Sequence, residues 1–444
     1  MLAIKVGLIS LGCSKNLVDS EVMLGLLKEN GFEITANEKN ADIVIINTCA
    51  FIKDAKNESI DTVTESIRSK NKNKKIIVTG CLSQRYGENL KKYFKGKIDA
   101  IIGAADFYNI VDACKAVMEG KWFLQISESP SYVYDHLTSR LRATPSHFAY
   151  VKIAEGCDNE CSYCVIPQIR GQYRSRPIAS IIAEINSLVQ SGIKETILIA
   201  QDTTYYGKDL NDGTNLTLLL KNILSSTDAE WIRILYVHPD HINDELFELI
   251  SKEKRICSYI DIPIQHISND ILKNMGRIAK GEEIRNLIKK IRNIIPDVTL
   301  RTSLMVGFPG ETDRHFEELI EFVKETQFDH LGVFAYSAEE GTRAFNIKDQ
   351  VPETIKQERM NQIAELHENI VEEKRRSLIG QEAIAIVDEV DEENQQAFGR
   401  TQGQAPDIDD IVIIIGENIK IGEFIKVKIL DTINIYDIIG EIIK

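Results

Sequence analysis

Three cysteines lie within ten residues of the sequence, in the stretch EGCDNECSYC (155–164): Cys157, Cys161 and Cys164. Polar residues separate these thiols, so inert burial explains them poorly. A structural zinc site normally has four ligands, and no second pair of cysteines with matching spacing lies downstream. An iron–sulfur cluster fits better, because cysteine thiolates are its usual protein ligands. Three thiolates would leave one iron of a four-iron cube open, as a catalytic site requires.

A second set of three cysteines is spread along the first part of the chain. Cys13, Cys49 and Cys81 each end an apolar, β-rich run, and 36 and 32 residues separate them, about one βαβ unit. Ligands of open parallel sheets bind beyond the carboxyl ends of the strands, so the three thiols are predicted to converge at one sheet edge. The alternative is that each is a small buried hydrophobe, the usual fate of a free cysteine.

The strand and helix patterns around these thiols predict an α/β protein of three domains. Residues 1–118 alternate strands and helices and predict a parallel-sheet domain, followed by a Pro- and Ser-containing linker at 119–146. Six strand–helix repeats and a trailing charged helix over 147–376 predict a partial (β/α)6 barrel, with its chemistry at the carboxyl ends of the strands. Residues 377–444 turn to dense β-branched runs, which predict a small all-β barrel.

Composition excludes several classes of protein. The net charge of −14 disfavours a general nucleic-acid binder and suits a basic partner. No stretch approaches the ~18 apolar residues of a membrane span, and the start of the chain lacks a signal peptide. We therefore expect a cytoplasmic monomer without membrane contact, in which disulfides are disfavoured by the reducing compartment.

The C-x3-C-x2-C loop after the first strand of a partial barrel resembles the radical S-adenosylmethionine (SAM) superfamily. The resemblance implies that the open iron chelates SAM and that its cleavage gives a 5′-deoxyadenosyl radical. It also implies that Tyr163, Gly307 and Gly310 lie against the cofactor. Gln201 and Gln265, which end predicted barrel strands, are expected at the same cofactor site. Tyr163 could equally be an ordinary half-buried ring, and a turn such as that in LMVGFPGET (304–312) joins many strands to helices.

From the predicted barrel, four polar residues at strand ends should face its mouth: Gln201, Asp202, Gln265 and His266. The alternative for His266 is a hydrogen-bonded structural role. Arg170, Arg174 and Arg176, just after the cysteine loop, are candidates for contact with substrate or cofactor carboxylates, although surface or helix-capping roles are as plausible.

The stretches LGCSKN, NTCAF and TGCLSQ resemble the N-terminal domain of the methylthiotransferases, and the C-terminal module resembles their TRAM domain. The resemblance covers essentially the whole chain. It implies a second 4Fe-4S cluster on Cys13, Cys49 and Cys81, and two SAM molecules per product, one as methyl donor and one as radical source. Cys114 and Cys257 lie outside both motifs and are expected to be buried and inert.

Two branches of that family differ in substrate. Ser14-Lys15-Asn16 and DIPIQHIS (261–268) resemble the RimO type, which modifies the β-carbon of an aspartate in small-subunit ribosomal protein twelve. The alternative is a tRNA adenosine substrate, as in the MiaB type. Residues 377–444 contain five basic and fourteen acidic residues, a net charge of −9, which makes tRNA an unlikely partner.

The chemistry would also need an electron donor, and the substrate could be the free ribosomal protein or the assembled subunit. The alternative for the acidic residues is that they serve only to keep the surface soluble. One alternative comes from outside this enzyme class: an RNA-binding modification factor whose clusters are structural.

Overall fold

The first domain is built on a six-stranded parallel sheet in the computed structural model, which describes residues 3–443. Its strands are β1 (Lys5–Ser10), β2 (Glu33–Ile34), β3 (Ile43–Thr48), β4 (Lys75–Gly80), β5 (Ala100–Gly103) and β6 (Phe123–Gln125). Its helices are α1 (Ser14–Glu29), α2 (Lys53–Arg68), α3 (Cys81–Tyr86), α4 (Asn89–Tyr93) and α5 (Ile110–Met118). The strand order is β2-β1-β3-β4-β5-β6, which confirms the predicted parallel-sheet fold.

The central strands of this sheet are rich in Val and Ile because helices cover both faces. Every residue of β3 is buried, and residues of opposite faces enter two separate cores: Ile43 and Ile45 in one, Val44 and Ile46 in the other. The first of these cores also contains residues of the second domain, such as Phe148. The two domains therefore share buried apolar surface.

The segment predicted as a linker is ordered against both flanking domains. It contains β6, which pairs with β5 and extends the sheet past residue 118. Farther along, Arg140 forms ion pairs with Glu21 of α1 and with Glu184 of the second domain. The segment thus ties the first domain to the second, and the predicted boundaries at 118 and 147 stay predictions.

The second domain repeats strand and helix six times. Its strands are β7 (Phe148–Lys152), β8 (Ala154–Glu155), β9 (Arg174–Ser175), β10 (Glu195–Ile199), β11 (Trp231–Ile234), β12 (Tyr259–Asp261), β13 (Thr299–Val306) and β14 (His330–Ala335). Its helices are α6 (Ile166–Arg170), α7 (Ile178–Gln190), α8 (Leu216–Ser226), α9 (Asp244–Lys252), α10 (Asn269–Asn274), α11 (Gly281–Ile294), α12 (Asp313–Thr326) and α13 (Glu353–Leu378).

Six of these strands form the wall of an open barrel. They pair in parallel in the orders β7-β10-β11 and β12-β13-β14, and a bridge between Ile232 and Ile256 joins the two halves. The short strands β8 and β9 form a separate antiparallel pair beside the cysteine loop. All six wall strands match predicted runs, so the sequence located the barrel and its mouth, at the carboxyl ends of the strands.

The trailing helix and the C-terminal module pack on the barrel. Along α13, Ile363 and Ile370 enter the barrel core, as the helical spacing predicts. The module is a closed barrel in the order β15-β16-β17-β19-β18. Its strands are β15 (Glu382–Asp391), β16 (Gln396–Arg400), β17 (Val412–Ile415), β18 (Phe424–Ile433) and β19 (Asp437–Ile442). Four of these strands lie in the β-branched runs that predict the barrel, whereas β16, QAFGR, has no β-branched residue and was not predicted.

Two further expectations concern the whole described chain. None of the helices within residues 3–443 combines the length and the apolar character that crossing a membrane requires. All eight cysteines are unpaired thiols, and Cys114 and Cys257 are buried, as predicted.

Candidate functional site

The first cysteine trio lies where three adjacent strands of the parallel sheet end. Cys13, Cys49 and Cys81 follow β1, β3 and β4, which are neighbours in the strand order. The loops touch: a Cβ added to Gly12 would lie 2.7 Å from Cys49 Cβ and 3.1 Å from Cys49 Sγ. The convergence predicted from the spacing is therefore found. Cys49 and Cys81 are buried, and Cys13 is exposed.

Asn16 holds the three loops of this trio together. Its side-chain nitrogen donates hydrogen bonds to Leu11 O and Thr48 O, both at 3.0 Å. Its side-chain oxygen lies 3.8 Å from Cys81 Sγ and accepts a hydrogen bond from Arg170 of the second domain. One amide thus links the loops after β1 and β3 to the third cysteine and to the barrel.

The electrostatic surroundings differ among the three thiols. Desolvation would raise the pKa of Cys13, but the nearby Lys15 and Arg170 and the backbone N–H groups of Lys15 and Asn16 lower it overall. Burial raises the pKa of Cys49, and it raises that of Cys81 to about 12. The exposed member is therefore the one whose thiolate is most favoured.

The second trio lies on one loop at the barrel mouth, directly after β8. Gly156 turns the chain into this loop at φ +77, and a Cβ there would meet Gln172 O at 2.0 Å, so only glycine fits. The loop is anchored by Cys157 N donating to Gly171 O (3.1 Å) and by Ser162 Oγ donating to Asn274 O (2.7 Å). It is held at both ends by the barrel rather than by its own sequence.

Burial has the largest effect on the pKa of two thiols of this trio. Burial raises the pKa of Cys157 to about 11 and raises that of Cys164 further. The backbone N–H of Ile166 points at Cys164 Sγ from 3.5 Å. Arg277 is the charged group that lowers the pKa of Cys164, but burial outweighs it.

Neither trio is arranged for a single metal ion. Within residues 3–443, the group whose ligand atoms all lie within 4.8 Å of one another is Asp202, His238 and His241, and no cysteine belongs to it. A zinc ion would need its sulfurs at about 2.3 Å from one centre. Two sets of three thiols, close but not in single-ion contact, suit a larger inorganic group such as an iron–sulfur cube.

The Asp202 group itself does not suit a metal ion. The Asp202 carboxylate already accepts from Asn159 (2.8 Å), Thr204 (2.7 Å) and the Tyr205 N–H (3.1 Å), and it pairs with His241. Because Asn159 lies in the cysteine loop, its hydrogen bond to Asp202 fixes that loop to the end of β10.

The remaining predicted cofactor residues surround the second trio. Tyr163 is half-buried; its hydroxyl accepts from Arg277 (3.1 Å) and its ring meets Phe308 edge-on. Gln201 and Gln265 are half-buried at the mouth, and neither side chain hydrogen-bonds to another group within the described part of the chain. Their amides are therefore free for a ligand.

The two glycines of the LMVGFPGET turn differ. Both have positive φ, +69 at Gly307 and +85 at Gly310. A Cβ at Gly307 would meet Lys356 Cγ at 2.2 Å, so the packing of α13 already explains that glycine. At Gly310 the nearest atom would be Asn274 Nδ2 at 3.9 Å, which leaves space beside the backbone.

Several sequence expectations for this region are corrected. His266 is fully buried: its Nδ1 accepts from the Ser268 N–H (3.0 Å), as in the hydrogen-bonded structural alternative, and its Nε2 lies 3.4 Å from Glu311. Arg176 is buried in an ion pair with Glu184 (2.6 Å). Arg174 donates to the backbone oxygens of Gln172 and Arg170. Both arginines therefore contact groups of their own chain, and the sequence did not predict these partners.

A buried ion network joins the two trios. Arg170 pairs with Asp19 (2.7 Å) of α1 and with Glu155 (3.1 Å), two residues before Cys157. Lys152 pairs with the same two carboxylates. Although burial opposes ionisation, Arg170 and Lys152 lower the pKa of Glu155 to about 2. Because Arg170 also reaches Asn16, the network spans from one cysteine trio to the other.

Sequence reasoning missed the groups that long-range packing brings to the mouth. Arg277, from the turn after α10, donates to Tyr163 and to Pro263 O (3.2 Å) and pairs with His238. Burial and the Arg277 charge lower the pKa of His238 to about 3, so it is neutral at physiological pH. No local signal in the sequence marked either residue.

Three family models match the chain in order. Residues 5–103 match "Uncharacterized protein family UPF0004", residues 151–323 match the "Radical SAM superfamily", and residues 379–443 match the "TRAM domain". The three ranges fall on the sheet domain, the open barrel and the small C-terminal barrel, so together they cover the three domains.

Curated relatives are similar over the full length. One from Citrifermentans bemidjiense is 46% identical over 442 residues, 99% of this chain and 98% of the relative. One from Desulforamulus reducens is 47% identical over 441 residues, 98% and 99%. Each is named "Ribosomal protein uS12 methylthiotransferase RimO".

Solved structures support the fold alone. The radical S-adenosylmethionine methyltransferase TsrM from Kitasatospora setae, with cobalamin and a [4Fe-4S] cluster bound, has a TM-score of 0.54 at 15% identity and covers 75% of each chain. The cobalamin-dependent S-adenosylmethionine radical enzyme OxsB has a TM-score of 0.50 at 13% identity, covering 83% of this chain and 56% of the other.

Proposed function

This chain belongs to the RimO family of radical SAM methylthiotransferases, and from that premise we propose that it adds a methylthio group to the β-carbon of an aspartate in ribosomal protein uS12. The reaction would use two 4Fe-4S clusters and two SAM molecules. The observation that carries the proposal is the pair of cysteine trios linked by one buried ion network, since a single substrate carbon must meet both.

The residues divide between two cluster sites. Cys13, Cys49 and Cys81 would hold one cube, and Cys157, Cys161 and Cys164 the other; three thiolates for each leave an iron open in both. When bound, the cluster of the second trio would supply the electron that cleaves SAM to a radical, and the cluster of the first trio would supply the methylthio group. A radical is needed because no side-chain base can remove an unactivated aliphatic hydrogen near neutral pH.

The chain's own contribution is to place and shield that chemistry. Asp202 and Asn159 fix the loop of the second trio, and Asn16 fixes the loops of the first. Tyr163, Gln201, Gln265 and Gly310 would contact SAM. The two glutamine amides have no partner within residues 3–443, and Gly310 leaves space beside its backbone. For Gly307 the same role remains proposed, although α13 also requires it.

Charge supports a protein substrate over tRNA. Of the fourteen acidic residues in 377–444, four are used against the barrel domain: Asp388 with His147, Asp407 with Tyr150, Asp409 with Arg301 and Asp410 with Arg375. Ten acidic residues remain outside that contact, so the module is still acidic toward solvent. Such a surface would repel phosphates and attract a basic protein.

One experiment tests the substrate. Ribosomal protein uS12 and tRNA nucleosides would be analysed by mass spectrometry from cells with and without the gene. The proposal predicts that only the aspartate of uS12 loses its methylthio mass. Loss of a methylthio adenosine instead would support the tRNA alternative. Repeating the assay in vitro with free uS12 and with small subunits would identify the physical form of the substrate.

A further inference from the structure

Lys15 is an unusual buried cation. It lies in the first turn of α1, two residues after Cys13, and is only 5% exposed. Three other lysines are as deeply buried, and each has an acceptor for its amine: Glu38 O for Lys74, carboxylates for Lys152, and Tyr336 O for Lys356. Lys15 differs from all three.

Within residues 3–443, the Lys15 amine has neither a carboxylate within 4.0 Å nor a hydrogen-bond acceptor. Its neighbour is the ring of Tyr236, whose centroid lies 3.2 Å from Nζ. A cation–π contact stabilises an ammonium group, but it satisfies none of the three N–H donors. The Lys15 side chain is buried along most of its length, while the N–H donors of its amine have no acceptor within residues 3–443, so the amine can bind an anionic partner from outside the chain.

Tyr236 is itself held in an uncommon backbone conformation. It follows β11 at φ +61, which is rare for an aromatic residue. Two contacts impose it: the Tyr236 N–H donates to Asp261 (2.9 Å), and its carbonyl accepts from Thr203 N (3.0 Å). The ring under the amine is thus fixed by the barrel mouth, whereas the amine comes from the first domain.

The charged groups that face Lys15 are few. Lys15 and Arg170 both lower the pKa of Cys13. Burial raises the pKa of Asp261, and Arg301 and Lys15 oppose that shift; the Asp261 carboxylate accepts from the Tyr236 N–H and lies 4.0 Å from Arg301. Lys15 therefore lies between the first trio, at Cys13, and the ends of the barrel strands, at Tyr236 and Asp261.

We propose that the Lys15 amine binds the side-chain carboxylate of the substrate aspartate and so selects aspartate at this site. The inference rests on the proposed function and adds the group that recognises the substrate. A charge-assisted hydrogen bond from a buried amine would hold the carboxylate beside Cys13 and leave the adjacent carbon exposed to the barrel side. An uncharged amide in its place would leave the ammonium unpaired.

The test compares two substrates and three variants. Binding would be measured by titrating anaerobically reconstituted, full-length protein with ribosomal protein uS12 and with uS12 whose target aspartate is replaced by asparagine. The variants are Lys15→Met, Lys15→Arg and the control Lys426→Met, which removes an exposed lysine of the C-terminal barrel paired with Glu382. Iron content and the visible spectrum of the clusters verify that each variant is intact.

We expect the wild type and Lys426→Met to bind the aspartate form roughly ten- to a hundredfold more tightly than the asparagine form. Lys15→Met should bind both equally, at the level of the asparagine form, and Lys15→Arg should recover part of the preference. An unchanged preference in Lys15→Met would overturn the proposal, as would an equal loss of affinity for both forms.

Loss of the first cluster in Lys15→Met would also count against it, because the lysine would then serve the cluster rather than the substrate. Failure of the proposed function would look different. The wild type would neither bind nor modify uS12, whatever residue stood at position 15.

Discussion

The two cysteine trios are built in opposite ways. The first draws one thiol from each of three strand ends, over 68 residues of sequence, and depends on the sheet and on Asn16. The second takes its three thiols from one loop of eight residues, which the barrel anchors at both ends. Cations lower the pKa of Cys13, whereas burial raises that of Cys157 to about 11.

Three thiols can therefore be brought together either by long-range structure or by one local loop. A site assembled from distant strands should be sensitive to changes in packing. A site on one loop should be sensitive mainly to its anchors.

The largest effect is expected from removing one thiol of each trio. Cys161→Ala should abolish both SAM cleavage and methylthio transfer, because the radical source is lost. Cys49→Ala should abolish methylthio transfer while 5′-deoxyadenosine still forms. The products are measured by liquid chromatography and mass spectrometry, with Cys114→Ala as a buried cysteine control that keeps activity. Identical product profiles for the two variants would mean that the trios do not have separate roles.

Breaking the network between the trios should have the next largest effect. Arg170→Met leaves Asp19 and Glu155 facing only Lys152, and loss of one partner of a buried ion pair costs about 3–5 kcal/mol. We expect that loss in the free energy of unfolding, measured by denaturant titration, and weaker iron binding at both trios. Exposed Arg314→Met is the control. A normal free energy of unfolding together with a normal iron content would show that the network does not support the two trios.

Asn16→Ala should affect only the first trio. It removes two hydrogen bonds to buried backbone oxygens and the acceptor of Arg170, for about 1–3 kcal/mol. Iron should be lost from the first trio, while SAM cleavage at the second continues. The matched variant Asn159→Ala, which frees the second loop from Asp202, should give the reverse pattern. If both variants lowered SAM cleavage alike, the trios would not be independently supported.

The smallest effect is expected from lowering the pH. The contact of the C-terminal barrel with the second domain should weaken before either trio is affected. His147 and Arg400 lower the pKa of Asp388 against the effect of desolvation, and Arg400 and Arg233 do the same for Glu195. Because the folded-state pKa of both carboxyl groups lies below the unfolded value of about 4, their ionisation stabilises the contact between the C-terminal barrel and the second domain above about pH 4. That stabilisation is lost as the pH falls from about 4 through the folded-state pKa. Limited proteolysis should release the C-terminal barrel near pH 3 and not at pH 6. Arg400→Met should move this release to higher pH.

Much of the fold was predictable because local patterns determine it. The Val- and Ile-rich runs located β1, β3 and β4 and hence the cysteines that follow them, and six repeats located the open barrel. The strand β16 lacked such a run, and β6 lay in a segment without periodicity, so both were missed. Whether a strand of weak propensity forms is decided by its neighbours in the sheet.

The positions of the six thiols and of the strand-end residues Gln201 and Gln265 were predictable from the sequence. The six cysteines follow from spacing, but Arg277, His238 and the position of Lys15 over Tyr236 depend on contacts between residues far apart in sequence. Arg170 illustrates the same limit. Its place in the sequence indicated contact with a carboxylate, and only the fold identifies that carboxylate as Asp19 and Glu155 of the same chain.

The central claim is that this chain holds two separate iron–sulfur clusters. Iron analysis with Mössbauer spectroscopy of the anaerobically reconstituted protein tests it most directly, for the wild type and for variants in which all three cysteines of one trio are alanine. The account predicts two cubane clusters, about eight irons, in the wild type and about four in each variant. A wild type with a single cluster, or a variant that loses all its iron when only one trio is removed, would contradict it.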